Sequence, residues 1–289
     1  MLSMSSYRTF AMAALPELAV DTLQSPWQPR LEMLSLRARD RTRPPILMVH
    51  GAYTHAGSWM RTFMPWFAAH GHDVHALSLR GHGGSDGGGM IDAWGLDDYG
   101  TDVQRALDAI GRPAIVFGSS MGGLVVQRLI AKGLAPRAAV LLSSVPPGGL
   151  IAAVSRMALR RPTSLGNLFQ VAIGARGGRG LLELLAHDPL PADEDTAVAR
   201  LLGRESGRAL WEMTWAPMAG APASRATDVP MLAVHGTQDQ MIPPSALEEI
   251  VARWGAEPMR VDGIGHVVMI ERRWRTVAGA IARWLDRCA

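Results

Sequence analysis

Short continuous apolar runs recur along the chain at Ile46–Val49, Val74–Leu79, Ala114–Phe117, Ala138–Leu142 and Val229–Val234. Each is bounded by Gly, Pro or polar residues, which predicts strands buried on both faces. Between them, Trp59–Ala69, Leu96–Ile110, Leu124–Ile130, Ala246–Trp254 and Trp274–Leu285 carry apolar residues at helical spacing. Leu31–Arg39 alternates after Leu34 and predicts an antiparallel edge strand; Met259–Val261 predicts a short one. Residues 1–30 show little pattern and are expected to form a poorly ordered N-terminal extension. From Gly148 to Asp228 no strand-like run occurs. Apolar residues keep helical spacing there, in Leu150–Leu159, Leu165–Ile173, Leu181–Leu185, Ala197–Leu202 and Leu210–Met218.

Strand–helix alternation of this kind predicts the α/β class, with a mostly parallel, doubly wound sheet covered on both faces. Residues 31–147 and 229–289 would form the core, and 148–228 an inserted helical lid. Ligands bind at the C-terminal ends of the strands in such sheets, so the lid should lie over that edge.

Composition narrows the function. Only one of the 29 basic residues is lysine, Lys132, and the net charge is only +3. The arginines are scattered, with no basic stripe interleaved with aromatics, so nucleic acid is not an expected partner. No apolar run reaches the ~18 residues of a membrane span. The run Phe10–Leu15 is interrupted by Pro16 and is too short for a signal peptide. The single cysteine, Cys288, allows no internal disulfide, which makes a cytoplasmic location the simplest expectation. No Cys/His cluster has metal-ligand spacing, and neither metal nor cofactor is expected.

The chemistry concentrates in one stretch. The run Ala114–Phe117 is followed at once by Gly118-x-Ser120-x-Gly122 and then by the helical run Leu124–Ile130. A serine on a sharp strand-to-helix turn is a nucleophile elbow, and glycines must flank it because a Cβ would meet the neighbouring elements. Ser120 is therefore the expected nucleophile, with Ser119 turned away from the site. A serine hydroxyl needs a base, and the base needs an orienting carboxylate. Of the nine histidines, His50, His55, His70, His72, His75 and His82 precede the elbow, whereas the motif runs Ser…Asp/Glu…His. His266, in a glycine-flanked loop after the last strand, is the expected base. Asp239, just after the strand Val229–Val234, is the expected acid. Asp188, Asp193 and Asp195 lie in the lid with no strand to place them. Two N–H groups must meet the oxyanion. Met121, at the helix start, supplies one and Ala52, in His50-Gly51-Ala52-Tyr53, the other, with the His50 ring N–H pinning that loop. Tyr53, Trp211, Met213, Trp215, Met218 and Val267 are expected to line an apolar pocket; Leu210 belongs to the same lid stretch.

With these residues in place, the chain resembles the α/β-hydrolase-fold serine hydrolases of the esterase/lipase family. The resemblance rests on His50-Gly51-Ala52, Arg80-Gly81-His82-Gly83-x-Ser85, Gly118-x-Ser120-x-Gly122-Gly123, Gly236-x-x-Asp239-x-x-x-Pro243 and Gly265-His266, in that order over residues 44–285. It implies the fold and a serine triad. It leaves the substrate open among esters, lactones, amides, thioesters and C–C bonds, with lyases and slow-turnover ligand-binding receptors as further members. Serine at the elbow argues against the epoxide hydrolases and haloalkane dehalogenases, whose elbow carries aspartate. The expected substrate is a small to medium apolar acyl or aryl ester, taken by a monomer or homodimer.

Overall fold

The computed structural model describes residues 18–160, 185–188, 202–219 and 227–288. Eight strands form one sheet: β1 (Leu18–Leu23), β2 (Leu31–Leu36), β3 (Ile46–Val49), β4 (Val74–Leu77), β5 (Ile115–Ser119), β6 (Ala138–Leu142), β7 (Met231–Gly236) and β8 (Glu257–Val261). Their spatial order is β1-β2-β4-β3-β5-β6-β7-β8. The β1–β2 and β2–β4 pairings are antiparallel and the rest are parallel. The mostly parallel sheet matches the expectation from the apolar runs.

The helices are α1 (Phe63–Ala69), α2 (Leu96–Ile110), α3 (Met121–Ala131), α4 (Ile151–Arg160), α5 (Gly207–Trp215), α6 (Ser245–Trp254) and α7 (Trp274–Cys288). Alternate strand residues face opposite sides of the sheet. Ile46, Met48, Ile115 and Phe117 pack with Phe63 and Phe67 of α1 and Val277 and Ile281 of α7. Leu47, Val49 and Val116 pack instead with Tyr99 of α2, Leu124 of α3 and Leu247 of α6. Because both faces are covered, the central strands are apolar throughout and show no alternation.

Three expectations change. Residues 18–23 form a strand, although residues 1–30 carried no expected element. LAVDTL buries its side chains only partly, and its place is decided by backbone pairing to β2 rather than by an apolar pattern. With β1 beside it, β2 is not the edge strand: all six of its residues are buried. The helix expected from Trp59 is split, with a 3₁₀ turn at Ala56–Trp59 and α1 beginning at Phe63, because Thr62 leaves the helical region (φ −130°, ψ −77°).

Within the expected lid, α4 and α5 match the helical spacing of Leu150–Leu159 and Leu210–Met218. The expected helix at Leu165–Ile173, most of that at Ala197–Leu202 and most of Leu181–Leu185 lie outside the described residues. Among the described residues no helix is long and apolar enough to cross a membrane.

Candidate active site

Ser120 stands between β5 and α3 with φ +50° and ψ −115°, a region that L-residues enter only under constraint. The constraint is close packing of backbone. A Cβ on Gly122 would lie 2.5 Å from the His50 carbonyl oxygen and 2.6 Å from that of Val49; one on Gly118 would lie 2.6 Å from the Gly122 oxygen. The Ser120 N–H donates to the Leu142 carbonyl at 2.9 Å, tying the turn to the end of β6. Gly122→Ala is therefore expected to destabilise the protein by about 3 kcal/mol, since backbone rather than a side chain must give way. A lowered thermal midpoint by circular dichroism would register this, and an unchanged midpoint would refute the packing argument.

His266 joins the other two expected residues. Its Nε2 lies 3.0 Å from Ser120 Oγ and its Nδ1 2.8 Å from Asp239 Oδ2. Asp239 follows β7 and its side chain is fully buried. Its Oδ1 accepts the Met241 and Ile242 N–H groups at 2.8 and 2.9 Å. Burial works to raise the Asp239 pKa, but the His266 charge and hydrogen bond, with the Ile242 N–H, outweigh it and hold the carboxyl below its usual range. The histidine loop is held as firmly. The Leu185 carbonyl accepts the His266 and Val267 N–H groups at 2.9 and 3.1 Å. Buried Glu271 accepts the Gly265, His187 and Asp188 N–H groups at 2.8, 2.7 and 2.9 Å. Sequence reasoning missed Glu271, because nothing in the chain marks a residue whose partners are backbone N–H groups.

The loop after β3 faces the serine. A Cβ on Gly51 would come within 3.1 Å of Ser120 Cβ, so glycine permits the approach. The Leu79 N–H donates to His50 Nε2 at 3.1 Å, which leaves Nδ1 as the protonated nitrogen, donating to the Gly51 carbonyl at 2.8 Å. Burial, reinforced by neighbouring His82, keeps the His50 pKa far below its ordinary value, so the ring is neutral. The ring therefore pins the loop in the way expected of it. Met121 opens α3, where first-turn N–H groups lack an acceptor inside the helix.

A cavity of about 400 Å³ opens beside Ser120 and His266. Four of the expected pocket residues border it: Tyr53, Met213, Trp215 and Val267. Two do not. Trp211, on α5, is 59% exposed and does not border the cavity. Met218 lies beyond the end of α5 and packs against the core cluster around Tyr99 and Leu247. Ser119 borders the cavity as well, and its backbone carbonyl lies beside Gly51. The remaining wall includes Leu150, Ala153 and Val154 at the start of α4, Leu185, and Met241 and Ile242 after Asp239. None of these was singled out beforehand, because their common factor is proximity across three segments. Among the described lining residues there is no Asp, Glu, Lys or Arg, and among the described residues no cluster of three or more His, Cys, Asp or Glu is placed to hold a metal.

The profile of the alpha/beta hydrolase family matches residues 46–280. The chain belongs to the α/β hydrolase family. Within this family it is 28% identical over 257 residues to a monoacylglycerol lipase of Mycolicibacterium smegmatis, covering 83% of this chain and 87% of that one. It is 26% identical over 213 residues to a non-heme chloroperoxidase of Streptomyces lividans, covering 69% and 75%. Its fold superposes on carboxylesterase CesB of Bacillus subtilis with a TM-score of 0.69 at 16% identity, covering 97% and 96%. That structural likeness shows a shared α/β hydrolase fold and leaves the substrate to be argued from the site.

Proposed function

We propose that this α/β hydrolase is a serine esterase that cleaves small to medium apolar acyl or aryl esters through an acyl-enzyme on Ser120. The observation that carries the reading is the unbroken chain Ser120–His266–Asp239, with spacings of 3.0 and 2.8 Å, opening onto an apolar cavity. Ser120 Oγ attacks the ester carbonyl as His266 Nε2 takes its proton. Asp239 holds the ring in the correct tautomer and stabilises the imidazolium. The N–H groups of Ala52 and Met121 receive the tetrahedral oxyanion, and the described parts of the expected lid that border the cavity, within residues 150–154 and 210–215, act as a cover on the substrate. His266 returns the proton to the leaving alkoxide, and water repeats the cycle on the acyl-enzyme. The similarity to a monoacylglycerol lipase and the apolar wall both favour an uncharged substrate.

Hydrolysis of p-nitrophenyl esters of rising acyl length tests this. Turnover should peak at a short to medium acyl chain. A carboxylate at the end of that chain should reduce kcat/KM by at least ~10²-fold, since the cavity offers no cationic partner for a buried charge. Turnover of no ester, with a fluorophosphonate still labelling Ser120, would assign the serine to another carbonyl substrate. Failure of both would sink the reading.

A further inference from the structure

The loop that presents Ala52 is gripped by residues from a distant segment. The Gly51 carbonyl accepts from His50 Nδ1 and, at 3.0 Å, from the Thr54 hydroxyl. No described peptide is cis, so fixing that carbonyl fixes the opposite direction of the Ala52 N–H in the same planar unit. The next peptide is held from the other side. The Tyr53 N–H donates to Glu205 Oε2 at 3.2 Å, and the Tyr53 carbonyl accepts the Gly203 N–H at 2.7 Å. Tyr53 has φ +67°, unfavourable for a residue with a Cβ, so its conformation needs such external support.

We propose that Glu205 is a positioning residue: its buried carboxylate holds the backbone beside Ala52 and so sets the aim of the oxyanion-binding N–H. The assignment rests on the ester-hydrolase reading above. It joins residues 202–206, in the stretch read as the lid, directly to the catalytic loops.

The carboxylate is built for this task. Four donors converge on it. Oε2 accepts from the Tyr53 N–H and, at 3.1 Å, from His82 Nε2; Oε1 accepts from the Tyr99 hydroxyl at 2.8 Å and the Ser206 N–H at 2.7 Å. His82 Nδ1 faces the Arg80 carbonyl at 3.1 Å. Both ring nitrogens therefore meet acceptors, the arrangement of an imidazolium that neutralises the buried carboxylate. With two donors on each oxygen, the carboxylate has one orientation that serves all four, and the Tyr53 amide is held against it.

An ordinary tether between segments would lower stability alike wherever it is cut. A positioning role separates two cuts. Glu205→Gln has a single acceptor oxygen. In one orientation its amide group faces the Tyr53 N–H and disturbs the loop directly; in the other it faces the Ser206 N–H and pushes the side chain from its place beside Tyr53. Tyr99→Phe removes a donor from Oε1 and leaves the Tyr53 contact alone.

The test compares these two variants and Glu205→Ala with the parent, using full-length protein, p-nitrophenyl butyrate and phenylboronic acid. The boronate adduct on Ser120 is a tetrahedral anion that needs the same N–H groups. Glu205→Ala should lose ~10²-fold in kcat, the scale of losing one oxyanion donor, with KM within about threefold. Its boronate affinity should fall in parallel, and hydrogen exchange across residues 51–55 should rise. Glu205→Gln should lose ~10-fold in kcat, and Tyr99→Phe less than about threefold, on the same scale. A folded Glu205→Ala with parental kcat and boronate affinity would overturn the proposal. Should Glu205→Ala fail to fold, the other two variants decide. Rates that fall merely in proportion to thermal midpoint in both would overturn it; a rate loss confined to Glu205→Gln would uphold it. Should the parent cleave no ester, the functional reading fails by itself, and exchange at residues 51–55 still decides the clamp: a rise in Glu205→Gln upholds it and no change overturns it.

Discussion

Ser120→Ala is expected to lower kcat/KM on p-nitrophenyl butyrate by ~10⁵-fold, with the fold intact. On the proposed mechanism the loss is this large because the serine oxygen forms the one bond that carries the acyl group between the two half-reactions. What remains would be catalysis by the oxyanion N–H groups and by substrate binding, with water attacking in place of the serine. The substitution removes one oxygen from a residue whose backbone is held by the Leu142 carbonyl and by the glycine packing around it, so the turn should persist. A variant that kept a tenth of parental turnover would exclude Ser120 as the nucleophile. Loss of fluorophosphonate labelling in the same variant would place the reactive hydroxyl there.

Asp239→Asn is expected to cost ~10⁴-fold in kcat with little change in KM, and the hydrogen bonds show why the amide should be harmful even where it fits. Oδ1 accepts two backbone N–H groups, from Met241 and Ile242. An asparagine must place its oxygen there, because its NH₂ would meet two donors. The NH₂ then faces His266 Nδ1, which can respond only by accepting. The ring's proton moves to Nε2, and Nε2, 3.0 Å from Ser120 Oγ, can no longer take the serine proton. The variant would hold its geometry and lose its base. Asp239→Ala provides the contrast: His266 is freed to adopt either tautomer but is no longer oriented. Equal turnover in Asp239→Asn and the parent would remove Asp239 from the relay. The depressed Asp239 pKa has a linked consequence. A carboxyl held below its unfolded value contributes stability that is present at neutral pH and is lost as pH falls through its folded value, so Asp239→Asn should flatten the acid limb of the stability curve.

The parts legible in advance were those that local rules govern. A strand buried on both faces must be apolar throughout, so β3, β5, β6 and β7 announce themselves by composition. A serine on a strained turn needs glycines on both sides, so the elbow is written in five residues. Chain order then singles out Asp239 and His266 from 26 acids and nine histidines. Strand β1 was not legible, because a half-exposed edge strand carries no distinctive apolar pattern until its partner is known. Trp211 and Trp215 look alike in the sequence, four residues apart on α5, and both are largely exposed; only the position of that helix makes Trp215, and not Trp211, border the cavity.

By itself the sequence pointed to the α/β layering, the strand-to-helix elbow and the three residues Ser120, Asp239 and His266 that the structure brings within hydrogen-bond reach, since periodicity, steric demand and chain order act over neighbouring residues or along the chain. Tertiary structure alone decided the rest of the cavity wall, from Leu150 to Ile242, and which buried carboxylates, Glu205 and Glu271, hold the loops around it. These roles arise from hydrogen bonds to backbone groups up to 152 residues away. A backbone N–H is the same at every position but proline, so no residue type in the sequence can mark where such a partner will stand.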